Sequence, residues 1–189
     1  QISTFRLDIT GLGLVGPGAN SIEIDGIEGY IGPPIDQGGG DGAGVVVVVN
    51  DGTNSDLQVF DGCDYAFLYR DAPQKSTEPV RFEFAAEPTD RNASFALLVG
   101  DGGPNRPDRF RAWADADVVA GEVVGGNMIV NESNLFNSTS GTDWDAVNYD
   151  FVVPANTTSI TCQVLSGPAG SLTPDSLVWS TAGFSLEVS

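Results

Sequence analysis

The chemical inventory of this chain is almost entirely carboxylate. It carries 26 Asp and Glu against 8 Lys and Arg, a net charge of −18, no histidine and one lysine, Lys75. Histidine is the usual proton shuttle near neutral pH, and lysine supplies amine nucleophiles, so most of the side chains that run chemistry near neutral pH are missing. Carboxylate and amide oxygens can still hold a hard cation. Two glycine-bearing segments concentrate them: Asp51, Asn54 and Asp56 in Asp-Gly-Thr-Asn-Ser-Asp, and Asp101, Asn105 and Asp108 in Asp-Gly-Gly-Pro-Asn-Arg-Pro-Asp. Calcium takes about six to eight such oxygens, and either loop is a candidate structural calcium site. The same residues are also ordinary turn formers, and that reading stands beside the first. A closed zinc site is excluded with two distant cysteines and no histidine. No cofactor is required.

Cys63 and Cys162 are the only cysteines, and the expectation is that they pair. Such a bond would close a loop of about a hundred residues, worth about 4–5 kcal/mol in chain-entropy terms. Two free buried thiols, or a bond between subunits, are the alternatives. Four glycosylation acceptor triplets occur, at Asn92, Asn131, Asn137 and Asn156, and favour a secreted glycoprotein. Five of the eight basic residues fall between Arg81 and Arg111. Among them Arg106, Arg109 and Arg111 form a candidate docking patch for the acidic surface of an identical subunit, or else a set of internal ion pairs. Of Trp113, Trp144 and Trp179, Trp144 lies in a polar stretch and is the candidate sugar platform, whereas Trp179 in Leu-Val-Trp reads as core.

A charge of −18 argues against nucleic acid, which needs a basic patch, and against anionic membrane surfaces. The longest apolar run, Val45–Val49, is too short to span a bilayer, so no membrane insertion is expected. Gln1 is what a cleaved precursor leaves, and the expected location is extracellular, on a virion or a cell surface. The glycine-rich stretch Gly38–Gly44 lacks the lysine and helix of a phosphate loop.

Positioning these residues falls to strands, because period-two alternation dominates and no helical period persists over three turns. Phe5-Leu7-Ile9 reads as a first strand, Ile22–Ile31 as one or two short ones, and Val45–Val49 as a strand covered on both faces. Leu57–Phe60 and Tyr65–Tyr69 form a hairpin or one bulged strand. Strands are further predicted around Val80–Phe84, Phe95–Val99, a pair across Gly121, and three late ones, from Val147, Ile160 and Leu177. Asn131–Asp143 reads as a loop. The fold class is all-β: one antiparallel β-sandwich over residues 1–189, most simply a jelly roll with long loops and little helix. Phe5-Leu7-Ile9 is expected to pair with Phe184-Leu186-Val188.

Three resemblances add to this. The run from Trp144 to Val188 resembles the closing strands of galactose-binding-like jelly rolls, which implies that fold and, in many such domains, carbohydrate binding or a place on a cell surface. Glu23-Ile-Asp25-Gly-Ile-Glu28 resembles the signature of laminarinase- and agarase-type retaining glycosidases. That resemblance implies Glu23 as nucleophile, Asp25 as helper and Glu28 as acid/base, with the outer pair about 5–5.5 Å apart. Gly26 sits where that family prefers an apolar residue. The excess of arginine over lysine on an acidic chain resembles halophilic archaeal proteins and their viruses.

The composition points to a non-catalytic extracellular structural protein, a self-assembling subunit of a filament, capsid or cell-surface layer. A carbohydrate-binding or adhesion module with structural calcium is the alternative, and a glycosidase using Glu23 and Glu28 the remote one. Identical subunits, and in the alternative glycans, are the expected partners.

Overall fold

The shortest hairpin organises the whole chain. Ala120 and Gly121 both take left-handed backbone angles, φ 52° and 80°, as a two-residue type I′ turn requires. They join β5 (Asp117–Val119) to β6 (Glu122–Val124), with Val119 opposite Glu122. From that turn the two halves of the chain pair outward in nested order. β4 (Arg109–Ala114) pairs with β7 (Asn127–Ser133), β3 (Arg91–Gly100) with β8 (Trp144–Val153), β2 (Val80–Glu83) with β9 (Ser159–Leu165), and β1 (Ser55–Ala66) with β10 (Leu177–Glu187), all antiparallel. Strands β1 to β10 thus form one long two-stranded ribbon, rolled so that alternate pairs fall in opposite sheets.

The computed structural model describes residues 4–25, 42–71, 73–138, 140, 144–167 and 173–188. One sheet has the order β1-β10-β3-β8 and the other β2-β9-β4-β7, with β5-β6 as a separate hairpin. Eight strands in two four-stranded sheets with this nested pairing are a jelly roll, as the alternation predicts.

Period two decides which side chains enter the core. Along β3, Ala93, Phe95, Leu97 and Val99 are buried, while Asn92, Ser94, Ala96 and Leu98 face outward. Phe110, Ala112 and Ala114 of β4 and Ile160, Cys162 and Val164 of β9 meet them from the other sheet. The core is aromatic: Phe95 stacks on Phe151 at 4.7 Å and meets Phe110 edge-on at 5.0 Å, and Phe82 stacks on Phe184 at 4.9 Å. Each such ring contributes about 1.5–3 kcal/mol by burial.

Several expectations are corrected. Phe5-Leu7-Ile9 does not pair with Phe184-Leu186-Val188, because β10 is an inner strand already flanked by β1 and β3. Residues 4–25 and 42–54 lie outside both sheets, with one 3-10 turn at Thr10–Leu12. Val45–Val49 is not a covered strand: Val47 is 48% and Val49 70% exposed. Val45, Val47 and Val49 instead line an open trough with Val15 and Ile22. Residues 55–66 are one bulged strand, one of the two expected readings, with the register shift between Asp61 and Asp64. Part of the expected 131–143 loop is strand, since β7 runs to Ser133.

Candidate functional site

Outward-facing positions of β4 place three large polar or aromatic side chains in a row. Arg109, Arg111 and Trp113 alternate with the buried Phe110, Ala112 and Ala114. Across the ladder, Arg109 faces Ser133, Arg111 faces Asn131 and Trp113 faces Met128. Arg109 Nη1 and Arg111 Nε both donate to Asn131 Oδ1, at 3.3 and 3.1 Å. Neither guanidinium has a carboxylate within ion-pair distance among the described residues. Arg6 pairs with Asp61, Arg81 with Glu83 and Asp117, and Arg106 with Asp175. Partial burial, and then the charge of Arg109, push the Arg111 guanidinium below its ordinary pKa. Arg109 Nε is buried without a hydrogen-bond partner. Two adjacent, partly desolvated guanidinium groups can grip a carboxylate bidentately.

The third member of the predicted cluster is elsewhere. Arg106 belongs to the β3–β4 loop, where its Nε lies 3.2 Å from Asp175 Oδ2 and its Nη1 donates to Thr173 O at 3.0 Å. Asp108 sits beside them, 2% exposed. Burial first, then the neighbouring charge of Asp175, push its carboxyl up to about 7, against the N–H groups of Asp175 and Gly167 and the charge of Arg106. Those N–H groups face the carboxylate, yet neither oxygen has a hydrogen bond of good geometry among the described residues. Asp101 takes φ 63° and bonds Ser176; Asn105, φ 60°, is exposed. The loop is held by the Arg106–Asp175 ion pair, with Asp108 buried beside it.

At the other candidate loop, Asp51 Oδ1 accepts from Thr53 N at 2.9 Å and Thr53 Oγ1 at 2.6 Å, which is turn chemistry. Asn54 O receives Val188 N at 2.8 Å, and Asp56 is on β1, near Gln58. Among the described residues, no group of three or more carboxylate or cysteine side chains is placed to hold a metal ion.

The cysteines do not pair. Cys63 is exposed in the β1 bulge of one sheet, whereas Cys162 points into the core from β9 of the other. Burial drives the Cys162 thiol well above its ordinary pKa. Trp144 is not an open sugar platform. The chain at Gly42 crosses it so closely that a Cβ there would come within 2.5 Å of its ring, and its indole N–H is buried. Trp179 is core, 4% exposed, and its Nε1 donates to Thr181 O at 2.8 Å.

Asn92, Asn131 and Asn156 are exposed, and Asn137 is half-buried. Asn92 Nδ2 donates to Glu187 Oε2 at 2.9 Å. Glu23 and Asp25 lie on an exposed stretch with no strand structure, so they do not present the alternating strand of a glycosidase; Glu28 lies outside the described residues.

One constellation has no counterpart among the sequence motifs. Arg91, 6% exposed, is covered by Phe84, with its guanidinium carbon 4.9 Å from the ring centroid. The alternation of β3 could have found it, since Arg91 occupies an inward position.

No protein-family model matches the sequence, and no curated protein matches it significantly. Among solved structures, similarity extends to the K1 adhesin domain of Lys-gingipain from Porphyromonas gingivalis, at 11% identity and TM-score 0.43, covering 74% of this chain and 86% of that one. A chain of the infectious bursal disease virus Gt strain is similar at 11% identity and TM-score 0.41, over 89% of this chain and 37% of that one. The C-terminal carbohydrate-binding module, CBM6, of a laminarinase from Zobellia galactanivorans follows at 17% identity and TM-score 0.31, over 56% and 70%. These neighbours are distant, and the jelly-roll assignment rests on the strand order.

Proposed function

We propose that the protein is a non-catalytic extracellular structural subunit that assembles with copies of itself in a filament, capsid or surface layer, in a saline setting. The observation that carries this reading is the outer face of β4. On a chain of net charge −18, Arg109 and Arg111 stand side by side with no carboxylate partner among the described residues. Carboxylates of another copy supply what is missing, and the acidic excess supplies them in abundance. The experiment is charge reversal. Arg109→Glu with Arg111→Glu abolishes association while leaving the thermal transition of the monomer in place; unchanged association overturns the assignment of this face.

A second reading, an adhesive or carbohydrate-binding module, draws support from a shallow polar depression of about 420 Å³ on the outer face of the other sheet. Ser94, Asp150, Ser185 and Glu187 line it, with hydroxyl and carboxylate groups suited to a sugar. Its lining has no aromatic ring, so the structural reading stands first.

A further inference from the structure

The long edge of the sandwich and the apolar arm beside it fit each other. β1 is the longest strand, and among the described residues β10 is its only ladder partner, which leaves one row of its backbone N–H and C=O groups open. That edge is apolar in part: Leu57, Val59 and Phe60 are 43–46% exposed. Residues 4–10 alternate apolar Phe5, Leu7 and Ile9 with polar Thr4, Arg6, Asp8 and Thr10, a strand pattern. Yet Phe5 is 97% and Leu7 79% exposed.

Among the described residues the arm touches the sandwich through two side-chain bonds, both to β1: Arg6 Nη1 to Asp61 Oδ1 at 2.7 Å and Thr4 Oγ1 to Gly62 O at 2.5 Å. Ascending along the arm, these contacts descend along β1, which is the antiparallel sense. Charge agrees, because Arg6 is the one basic residue among the first 69, and β1 carries Asp56, Asp61 and Asp64.

With Arg6 opposite Asp61, the alternation assigns the positions that follow along the arm, while Phe5 and Thr4 fall on the β1 bulge between Asp61 and Asp64. Leu7 meets Phe60, whose ring is already edge-on to Phe82 of the core at 5.2 Å. Phe5 meets Gly62, where a Cβ would find nothing within 4 Å, so there is room for the ring. An aromatic residue over an edge glycine is a known stabilising pair. Asp8 falls opposite Val59, and the 3-10 turn that opens at Thr10 ends the pairing.

We propose that residues 4–8 of one copy, which precede the 3-10 turn at Thr10–Leu12, add as an antiparallel strand to the outer edge of β1 in a second copy, with Arg6 opposite Asp61. Within one chain the arm makes the two side-chain bonds but no ladder, and its apolar side chains stay in water. Residues 11–54 connect arm to strand, enough chain to reach a neighbour. Repeated head to tail, the addition gives a ring where the rotation closes and an open polymer where it does not. This inference rests on the self-assembly proposed above, and names its joint.

In this register position 4 falls on the β1 bulge that holds Cys63, which is free and exposed. The test is Thr4→Cys, oxidised after ¹⁵N-labelled and unlabelled chains are mixed in the dissociated state and reassembled, with peptide mass spectrometry of the linkage and light scattering of the wild type. Strand addition between copies gives a disulfide-linked peptide that joins the introduced thiol at position 4 to Cys63. In an equal mixture, roughly half of that peptide pairs one light and one heavy strand. Assembly with a linkage of one isotope only, or with none, overturns strand addition and leaves self-assembly standing. A wild type that stays monomeric overturns both. Phe5→Asp with Leu7→Asp, far outside the core, gives a folded chain that no longer assembles; unimpaired assembly of that variant overturns the proposal.

Discussion

Arg109 and Arg111 share one acceptor, the Oδ1 of Asn131 across the β4–β7 ladder. An amide oxygen satisfies hydrogen bonds without neutralising charge, so the pair remains a cationic spot on an acidic molecule. Asn131→Asp therefore supplies the missing carboxylate internally. We expect self-association to weaken at least tenfold by analytical ultracentrifugation, with a melting temperature equal to or slightly above the wild type, since an exposed pair adds about 0–1 kcal/mol. Association unchanged by this substitution would contradict the role given to the arginines.

The buried Asp108 makes stability depend on pH in an unusual direction. Burial and the charge of Asp175 raise its carboxyl from 3.8 to about 7 in the folded protein. A raised acid binds its proton more tightly when folded, so its stabilising contribution is intact below 3.8 and is lost as pH climbs to about 7. Asp108→Asn removes this dependence. Between pH 4 and 7 the wild-type melting temperature should fall relative to the variant, as differential scanning calorimetry across that range will show.

Gly126 turns the chain from β6 into β7 at φ 70°, and a Cβ there would come within 2.6 Å of Ala116 Cβ and 2.7 Å of Ala114 O. Backbone strain and collision act together, so Gly126→Ala should cost about 2–3 kcal/mol. Gly125 has a similar φ of 69° but open space around it. Gly125→Ala should cost less, about 1 kcal/mol, and urea unfolding of the two variants separates collision from backbone conformation.

Thiol titration checks the cysteine arrangement. One equivalent, Cys63, should react within minutes in the native protein, and Cys162 only on unfolding. Non-reducing electrophoresis should show no internal crosslink.

Much of the sandwich is legible in the sequence because inward and outward positions differ in polarity. Phe95, Leu97 and Val99 mark β3, and the bulged β1 is visible around Cys63. Which strand pairs with which leaves no local mark: Ser55 meets Glu187 through a register set by every intervening turn. Phe5-Leu7-Ile9 carries the same alternation as β10, but alternation reports a face, not a neighbour. Val45–Val49 has strand propensity without a ladder to join. Spacing likewise could not separate Arg106 from Arg109 and Arg111. A loop delivers the first to Asp175, while period two sends the other two outward. For Cys63 and Cys162, parity on their strands mattered more than their number.

The central claim is that this chain assembles with itself, and the most direct measurement is native particle mass by light scattering across a salt series. Copies bearing −18 repel over a Debye length of about 30 Å at 0.01 M salt, which shrinks to about 3 Å at 1 M, while short Arg–carboxylate contacts and strand pairing persist. The account predicts a particle near the chain mass of 19.7 kDa at low salt, growing to many subunits as salt rises. A particle that stays at 19.7 kDa at every salt concentration would contradict it.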